Sequence, residues 1–243
     1  MKLYLAGQNG HPWIEDQFFD FYRLESYFNI AKKEIEHISK YKSFLLDSGA
    51  FSYMNGLCSK DVNWNIYIEE YADFINKHKI NLFMELDIDN VVGYKEVRKL
   101  RNKLENLTQR QCIPVWHKSR GKEEWINLIK EYNYVAIGGI VTREIKPREY
   151  KYFHWLLNKA KEHNCKVHAL GFTNLKELTE YPFYSVDSTS WLSGNRFGGV
   201  YIFNGISLEK YNKKKGQRVR NKKVAKHNFY EWIKFQKYAD INL

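Results

Sequence analysis

Residues 44–48, Phe-Leu-Leu-Asp-Ser, form a short apolar run that ends in an acid. Residues 183–188, Phe-Tyr-Ser-Val-Asp-Ser, repeat this pattern near the other end of the chain. Both runs have the length and the aromatic or branched residues that are typical of β-strands. Because an acid at the end of an apolar strand is costly to desolvate, we expect Asp47 and Asp187 to have a function at the strand ends.

Eight such strand-length runs alternate with segments of helical period. The predicted strands span Lys2–Ala6, Phe44–Asp47, Asn81–Asp87, Cys112–His117, Tyr134–Ile140, Lys166–Gly171, Phe183–Asp187 and Gly199–Phe203. Apolar stripes such as Trp64, Ile68 and Tyr71 predict amphipathic helices between them. Eight strand–helix units predict an α/β fold, a closed (β/α)8 barrel of the TIM type. An open doubly wound sheet is the alternative, although no GxGxxG motif follows the first strand.

The length and the cysteine usage restrict the class of protein. With 243 residues, 44% of them hydrophobic, the chain can form one barrel domain over residues 1–243. Three widely spaced cysteines, Cys58, Cys112 and Cys165, indicate reduced thiols of a cytoplasmic protein. The N-terminus lacks the apolar stretch of a signal peptide, and no apolar run approaches the roughly 18 residues of a membrane span. We therefore expect a soluble protein without a membrane partner.

The charge of the chain favours a polyanionic partner. There are 39 Lys or Arg residues against 28 Asp or Glu residues, a net charge of +11. Nucleic acid is favoured over a membrane surface, and a solvated basic surface is the alternative. Residues 213–226 hold a basic segment without an acid, which consists of Lys213, Lys214, Lys215, Arg218, Arg220, Lys222, Lys223 and Lys226. We expect this segment and Arg196 to contact phosphates, and we expect a closing helix after it around Phe229 and Trp232.

A barrel of this type collects its functional residues at the carboxyl ends of the strands. The polar or glycine residues predicted there are Asp47, Ser48, Asp87, Asp89, His117, Gly138, Gly139, His168, Gly171 and Asp187. Two acids held in different environments can serve as a nucleophile and as a general acid and base. A Gly-Gly pair leaves room for its backbone N–H groups to reach a planar ligand.

The stretch FLLDSGAFS at 44–52 resembles the D-S-G-G-F motif of tRNA-guanine transglycosylases. Further elements follow in the order of that family: MELD at 84–87, VWH at 115–117, IGGI at 137–140, HALGF at 168–172 and SVDS at 185–188. The chain lacks the C-x-C-x-x-C…H zinc subdomain of the tRNA enzymes. It therefore resembles most the compact phage-type DNA transglycosylases, which exchange guanine in DNA for a 7-deazaguanine of the preQ0 or preQ1 type.

The resemblance implies a role for each matching residue. Asp187 would be the nucleophile that attacks C1′ of the target nucleotide, and Asp47 would shuttle the proton of the departing and arriving bases. Asp87 would accept hydrogen bonds from the base, whose carbonyl oxygen would bind the N–H groups of Gly139 and Ile140. The predicted base site is completed by Ser48, Phe51, His117 and Gly171. His117 stands where the family often has a glutamine.

The resemblance also implies the partners of the protein. These are DNA, or tRNA as the alternative, and the free 7-deazaguanine base, with no cofactor and no metal. The expected location is the cytoplasm, which is that of the host if a phage encodes the chain. The aromatic outer helices are compatible with a homodimer.

Two further classes of function stay open at the level of sequence. One is a metal-dependent barrel hydrolase that uses Asp87, Asp89, His117, His168 and Asp187. The other is a noncatalytic nucleic-acid-binding barrel, in which the basic segment binds and the acids are structural. In that case Asp47 and Asp187 would cap the segments that follow their strands, since Asp is a favoured N-cap residue.

Overall fold

A computed structural model describes residues 1–7, 11–54, 62–172, 174–192, 198–212 and 221–243, without the side chains of residues 51, 54 and 221. The strands within these ranges are β1 (Lys2–Ala6), β2 (Tyr22–Ser26), β3 (Ser43–Asp47), β4 (Leu82–Phe83), β5 (Val115–Trp116), β6 (Tyr134–Ile137), β7 (Lys166–Ala169), β8 (Ser185–Ser188), β9 (Val200–Phe203) and β10 (Leu208–Tyr211). The first eight are parallel and follow the spatial order β4-β3-β2-β1-β8-β7-β6-β5.

The helices connect these strands. The α-helices in the same ranges are α1 (Pro12–Glu15), α2 (Lys32–Ile35), α3 (Ala50–Met54), α4 (Trp64–Lys77), α5 (Asp89–Val92), α6 (Tyr94–Thr108), α7 (Gly121–Glu131), α8 (Tyr152–Glu162) and α9 (Asn221–Asn242). Short 3-10 helices span Tyr27–Asn29, Ile38–Lys40, Lys118–Arg120, Pro147–Glu149 and Ser190–Leu192. The four longest connecting helices, α4, α6, α7 and α8, lie where the apolar stripes predict them.

The two outer strands of this order meet, which closes the sheet. Met84, just after β4, forms a parallel bridge with Ile113, just before β5. The Glu85 N–H donates to the Ile113 carbonyl over 3.0 Å, and the Ile113 N–H donates to the Phe83 carbonyl over 2.8 Å. The chain therefore folds as an α/β barrel, as the alternation of strands and helices predicts, and the open-sheet alternative is wrong.

Alternate residues along each strand separate two apolar layers. One layer fills the inside of the barrel and consists of Tyr4, Ala6, Tyr22, Leu24, Leu45, Met84, Ile113, Val115 and Ala136. The larger layer lies between the strands and the surrounding helices, and it buries aromatic side chains such as Trp125, Phe153 and Trp232. Because side chains fill the inside, a ligand that enters at the barrel mouth meets the residues at the strand ends.

One strand prediction is wrong, and one barrel strand was not predicted. The run Gly199–Phe203 is not a barrel strand, because β9 pairs antiparallel with β10 in a separate hairpin. The barrel strand without a prediction is β2, Tyr22–Ser26, which pairs with both β1 and β3. Asp47 therefore ends the third barrel strand and Asp187 lies in the eighth.

The predicted closing helix is present as α9. Phe229 and Trp232 are buried on it, and the Gln236 side-chain amide donates to the Leu3 carbonyl of β1 over 2.6 Å. Cys112 and Cys165 are buried free thiols, and Cys58 lies outside the described residues. None of the helices in the described ranges is long and apolar enough to cross a membrane.

Candidate active site at the barrel mouth

The carboxyl end of β3 forms a tight turn around Asp47. The Gly49 N–H donates to the Asp47 carboxylate over 3.1 Å. Gly49 has a φ of +85°, and a Cβ at this position would lie 2.5 Å from the Phe28 Cβ. Only glycine fits such a backbone without strain. Tyr67 of α4 braces the turn, since its hydroxyl donates to the Ser48 carbonyl over 2.6 Å.

Asp47 titrates far above its usual range. Burial, together with the charges of Asp187 and Asp87, raises its pKa from 3.8 to about 6. Hydrogen bonds from Gly49 and from the hydroxyl of Ser26, its register partner on β2, act in the opposite direction. The predicted strand-end acids thus lie close enough to influence each other, and Asp47 is suited to exchange a proton near neutral pH.

Asp187 of β8 is held by a backbone N–H group and a histidine. Its carboxylate accepts the Gly171 N–H over 2.6 Å and faces His168 Nε2 over 3.3 Å. His168 is fully buried, and its Nδ1 lies 2.6 Å from Ser185 Oγ, which in turn lies 2.5 Å from the Tyr134 hydroxyl. When Asp187 is ionised and His168 neutral, His168 donates to Asp187 and accepts from Ser185. This chain of hydrogen bonds fixes the orientation of the Asp187 carboxylate.

Asp87 lies on the other side of the mouth and is bound to His117. His117 Nε2 lies 2.7 and 2.9 Å from the two Asp87 oxygens, and its Nδ1 lies 2.8 Å from Glu144. Burial lowers the pKa of His117, but the hydrogen bonds to Asp87 and Glu144 outweigh burial and raise it to about 10. The hydrogen bond from His117 lowers the pKa of Glu144 to about 2. His117 is therefore an imidazolium that donates one N–H to each of two carboxylates.

Arg120 forms ion pairs with the acids on the same side of the mouth as Asp87. Its guanidinium binds both oxygens of Asp89, over 2.6 and 2.7 Å, and donates to the buried Glu85 over 2.9 Å. It also lies 3.5 Å from Asp87 and is stacked on the Tyr94 ring, with 4.3 Å to the ring centroid. Both oxygens of Asp89 are consequently engaged by Arg120, whereas the main partner of Asp87 is His117.

The glycines after β6 and β7 are required by close packing. A Cβ on Gly138 would lie 2.7 Å from His117 Nε2. Gly139 has a φ of +79° and packs against Glu144. No hydrogen bond donated by the N–H of Gly139 or Ile140 occurs within the described ranges. Gly171, with a φ of +67°, directs its own N–H at Asp187.

Not every predicted site residue reaches the mouth in the described part of the chain. Ser48 is fully buried, and its hydroxyl has no partner among the described residues. The side chain of Phe51 and the predicted phosphate-binding residues Arg196, Lys213, Lys214, Lys215, Arg218 and Arg220 lie outside the described residues. Lys222 and Lys226 of the basic segment pair with Glu15 and Asp16 over 2.9 and 2.6 Å.

Three residues of the site were not predicted from the sequence. Ser26 belongs to the strand that the apolar pattern did not reveal. Glu144 stands in a loop without a regular pattern, six residues after Gly138. Arg120 follows His117 in the run His-Lys-Ser-Arg, and its proximity to MELD at 84–87 depends on the neighbouring positions of β4 and β5.

The donor set does not favour a metal centre. Among the residues that the structure describes, no group of three or more His, Cys, Asp or Glu side chains is placed to hold a metal ion. Both ring nitrogens of His117 are engaged with carboxylates, and Asp89 is engaged with Arg120. The hydrolase alternative would need these same side chains to turn toward an ion.

Comparison with known proteins identifies the fold class. No family model matches this chain, and no curated protein matches it. The copper homeostasis protein CutC from Streptococcus agalactiae is similar in structure, with a TM-score of 0.50 and 13% identity over 78% of this chain and 99% of that chain. The HpcH/HpaI aldolase from Desulfitobacterium hafniense DCB-2 gives a TM-score of 0.42 and 11% identity over 77% and 85%. At such low identity the first likeness shows the α/β barrel fold alone.

Proposed function

We propose that this protein is a base-exchange transglycosylase with a TIM-type barrel, which replaces guanine in DNA by a 7-deazaguanine of the preQ0 or preQ1 type. The observation that carries the proposal is the pair of acids Asp47 and Asp187 at the barrel mouth. The charge of Asp187 raises the pKa of Asp47, and the two carboxylates have different environments. Such a pair can divide the roles of proton carrier and nucleophile.

The reaction proceeds in two displacements at C1′. In the first, a carboxylate oxygen of Asp187 forms a bond to C1′ while the C1′–N9 bond to guanine breaks, and protonated Asp47 donates its proton to the departing base. In the second, the incoming deazaguanine loses its N9 proton to Asp47, and its nitrogen displaces Asp187 from C1′. Two inversions retain the β configuration, as in retaining glycosidases. No oxidant or reductant is required.

The target base is read by the other side of the mouth. Asp87 accepts hydrogen bonds from N1–H and the exocyclic amine of guanine, and the N–H groups of Gly139 and Ile140 bind its carbonyl oxygen. His117 does not contact the base in this proposal, since both of its N–H groups are bound to carboxylates. Its charge instead keeps the Asp87 carboxylate fixed and available as an acceptor.

DNA is preferred over tRNA as the substrate because of the cysteine spacing. The three cysteines, Cys58, Cys112 and Cys165, are far apart and do not form the C-x-C-x-x-C…H motif of the zinc subdomain. The net charge of +11 suits either nucleic acid. To enter the mouth, the target base must leave the stack, which costs a few kcal/mol in a duplex and less in an open strand. The basic segment and Arg196 would offset this cost through phosphate contacts. A cytoplasmic location and a homodimer remain compatible with this proposal.

The direct experiment is the exchange of radiolabelled guanine into DNA and into tRNA, with wild type, Asp187→Asn and Asp73→Asn. Asp73 is an exposed residue of α4 away from the mouth and serves as the matched control. Label in DNA with wild type and Asp73→Asn, but not with Asp187→Asn, supports the proposal. Label only in tRNA would show that the substrate is tRNA and not DNA. No label in either nucleic acid would contradict the proposed activity and favour a noncatalytic nucleic-acid-binding barrel.

A further inference from the structure

A cavity of about 340 Å³ opens beside the barrel mouth, between the first turns of α7 and α8. Its floor is formed by buried side chains of Trp116, Ile145, Phe153 and Leu156. Its rim carries Tyr152 and Trp155 of α8, the cation Lys122, and Lys118 in an ion pair with Glu149 over 2.5 Å. The volume lies at the lower end of the range of ligand pockets, roughly 300–1,000 Å³, which suits one planar group.

The cavity adjoins the base-reading side of the mouth. Trp116 directly precedes His117, and Ile145 directly follows Glu144. His117 and Glu144 are joined by the 2.8 Å hydrogen bond described above. The cavity and the mouth therefore lie on opposite sides of the His117–Glu144 pair. A flexible polymer with one monomer in the mouth can place a neighbouring monomer in the cavity.

The aromatic residues of the rim are placed for stacking. Tyr152 has 54% of its surface exposed, and the Lys151 ammonium lies 5.8 Å from the centroid of its ring. Trp155 is partly buried, and the Lys122 ammonium lies 5.2 Å from the centroid of its ring. An aromatic face next to an ammonium matches the two parts of a nucleotide, a planar base and a phosphate.

The loops around the cavity are strongly basic. The segments 117–122 and 138–151 contain the cations Lys118, Arg120, Lys122, Arg143, Lys146, Arg148 and Lys151 against two acids, Glu144 and Glu149. Arg120 is buried in its ion pairs, and the other six cations are exposed. This charge is opposite to that of a phosphate backbone, so the edge of the mouth favours a polyanion over a basic or apolar surface. The aromatic rim is what favours a nucleic acid among polyanions, because bases stack on aromatic rings.

From these observations we infer that the cavity is a subsite for a nucleotide that flanks the target, with its unpaired base stacked on Tyr152 and Trp155 and its phosphate near Lys118 and Lys122. This inference rests on the proposed function, because only a base-exchange enzyme has a target nucleotide that another nucleotide can flank. Stacking is tolerant of sequence, because every base has a π-face. The subsite thus holds the strand open beside the extruded base without reading a particular sequence.

Binding of a fluorescein-labelled single-stranded DNA oligonucleotide, measured by anisotropy, tests the subsite. We expect Tyr152→Ala and Trp155→Ala each to weaken binding about tenfold. Tyr211→Ala is the matched control, because Tyr211 has 52% of its surface exposed but lies on the β9–β10 hairpin. Lys122→Gln should lower the slope of log affinity against log salt by about one unit. Circular dichroism and thermal unfolding show that each variant is folded.

The outcomes separate this inference from the proposed function. Weaker binding by the Tyr152 and Trp155 variants, with the Tyr211 control unchanged, supports the subsite even if wild type shows no base exchange. Unchanged oligonucleotide binding by folded Tyr152→Ala and Trp155→Ala overturns the subsite, and base exchange by the same variants would show that the proposed function survives without it. Equal losses in the Tyr211 control would also overturn it, because binding would then not be local.

Discussion

The two sides of the barrel mouth hold their acids in opposite ways. On the paired side, Asp87, Asp89 and Glu144 are neutralised by the imidazolium of His117 and the guanidinium of Arg120. On the unpaired side, Asp47 and Asp187 have no lysine or arginine partner in the described part of the chain. Asp47 accepts hydrogen bonds from the Gly49 N–H and the Ser26 hydroxyl, and Asp187 contacts the Gly171 N–H and His168. An acid with a fixed cation keeps one protonation state, whereas an acid without one can exchange a proton or form a bond.

The largest expected effect on the rate of base exchange follows from replacing Asp187, the proposed nucleophile on the unpaired side. Asp187→Asn should lower the rate of base exchange on the order of 10⁴-fold or more, because the amide cannot displace guanine from C1′. Binding of the oligonucleotide should remain within a few-fold of wild type. Rates of base exchange and oligonucleotide anisotropy, measured on the same protein, check this. Exchange by Asp187→Asn at the wild-type rate would show that Asp187 is not the nucleophile.

Removing the proton carrier should have the second largest effect. Asp47→Asn is expected to slow exchange roughly 10²–10⁴-fold. In the proposed reaction the protonated form of Asp47 starts base exchange, and the pKa of Asp47 is raised to about 6. kcat/KM for DNA should therefore fall about tenfold for each pH unit above this pKa. A pH profile of both proteins checks this, and the same slope in Asp47→Asn would assign the titration to another group.

The stability of two matched variants should change in opposite directions. Because the pKa of Asp47 is higher in the folded protein than its usual value of 3.8, the fold loses stability as the pH rises from about 4 to about 6 and does not regain it above. Asp47→Asn should therefore raise the free energy of unfolding at pH 8 and change it little at pH 4.

Asp87→Asn, on the paired side, should instead destabilise the protein at pH 8, by about 3 kcal/mol, because it removes one partner of the buried His117 cation. Urea unfolding of both variants at pH 4 and pH 8 measures the difference. Destabilisation of the same size by both variants at pH 8 would show that the two sides do not differ in the way described here.

The smallest expected effect is spectroscopic. With its pKa raised to about 10, His117 should stay protonated on both ring nitrogens at pH 8. Its contribution to stability is present below its unfolded pKa of about 6.5 and is lost as the pH rises through about 10. Nitrogen-15 NMR of the histidine rings, assigned with His117→Gln, measures this. Titration of His117 near pH 6.5 would mean that the Asp87 and Glu144 contacts do not hold it.

Strand ends were predictable where a strand faces apolar layers on both sides. β3 and the run Phe183–Asp187, which leads into β8, were recognised as strands from their apolar and aromatic residues, and the acids at the ends of these runs were found for that reason. β2 was missed because Arg23 and Glu25 interrupt its apolar pattern. Arg23 is nevertheless fully buried, and it binds Glu34 over 2.7 Å and the Leu5 carbonyl over 2.8 Å. A buried ion pair cannot be read from a pattern of polar and apolar residues.

The partners of the site acids depend on which loops meet at the mouth. The run Gly199–Phe203 has the composition of a barrel strand, yet its backbone pairs with Leu208–Tyr211. Likewise, nothing near Glu144 in the chain predicts its hydrogen bond to His117, since 27 residues separate them. Composition predicts that such residues are at a strand end or in a loop, whereas only the closed barrel shows which of them meet.

In the proposed reaction Asp187, on the unpaired side, forms a covalent intermediate with C1′ of the target nucleotide. The most direct measurement is the intact mass of the protein after incubation with a guanine-containing DNA oligonucleotide and acid quench, without added deazaguanine. We predict a species heavier by the oligonucleotide less guanine, whose modified peptide contains Asp187, and its absence with Asp187→Asn. Base exchange without any adduct, or an adduct that persists in Asp187→Asn, would contradict the account.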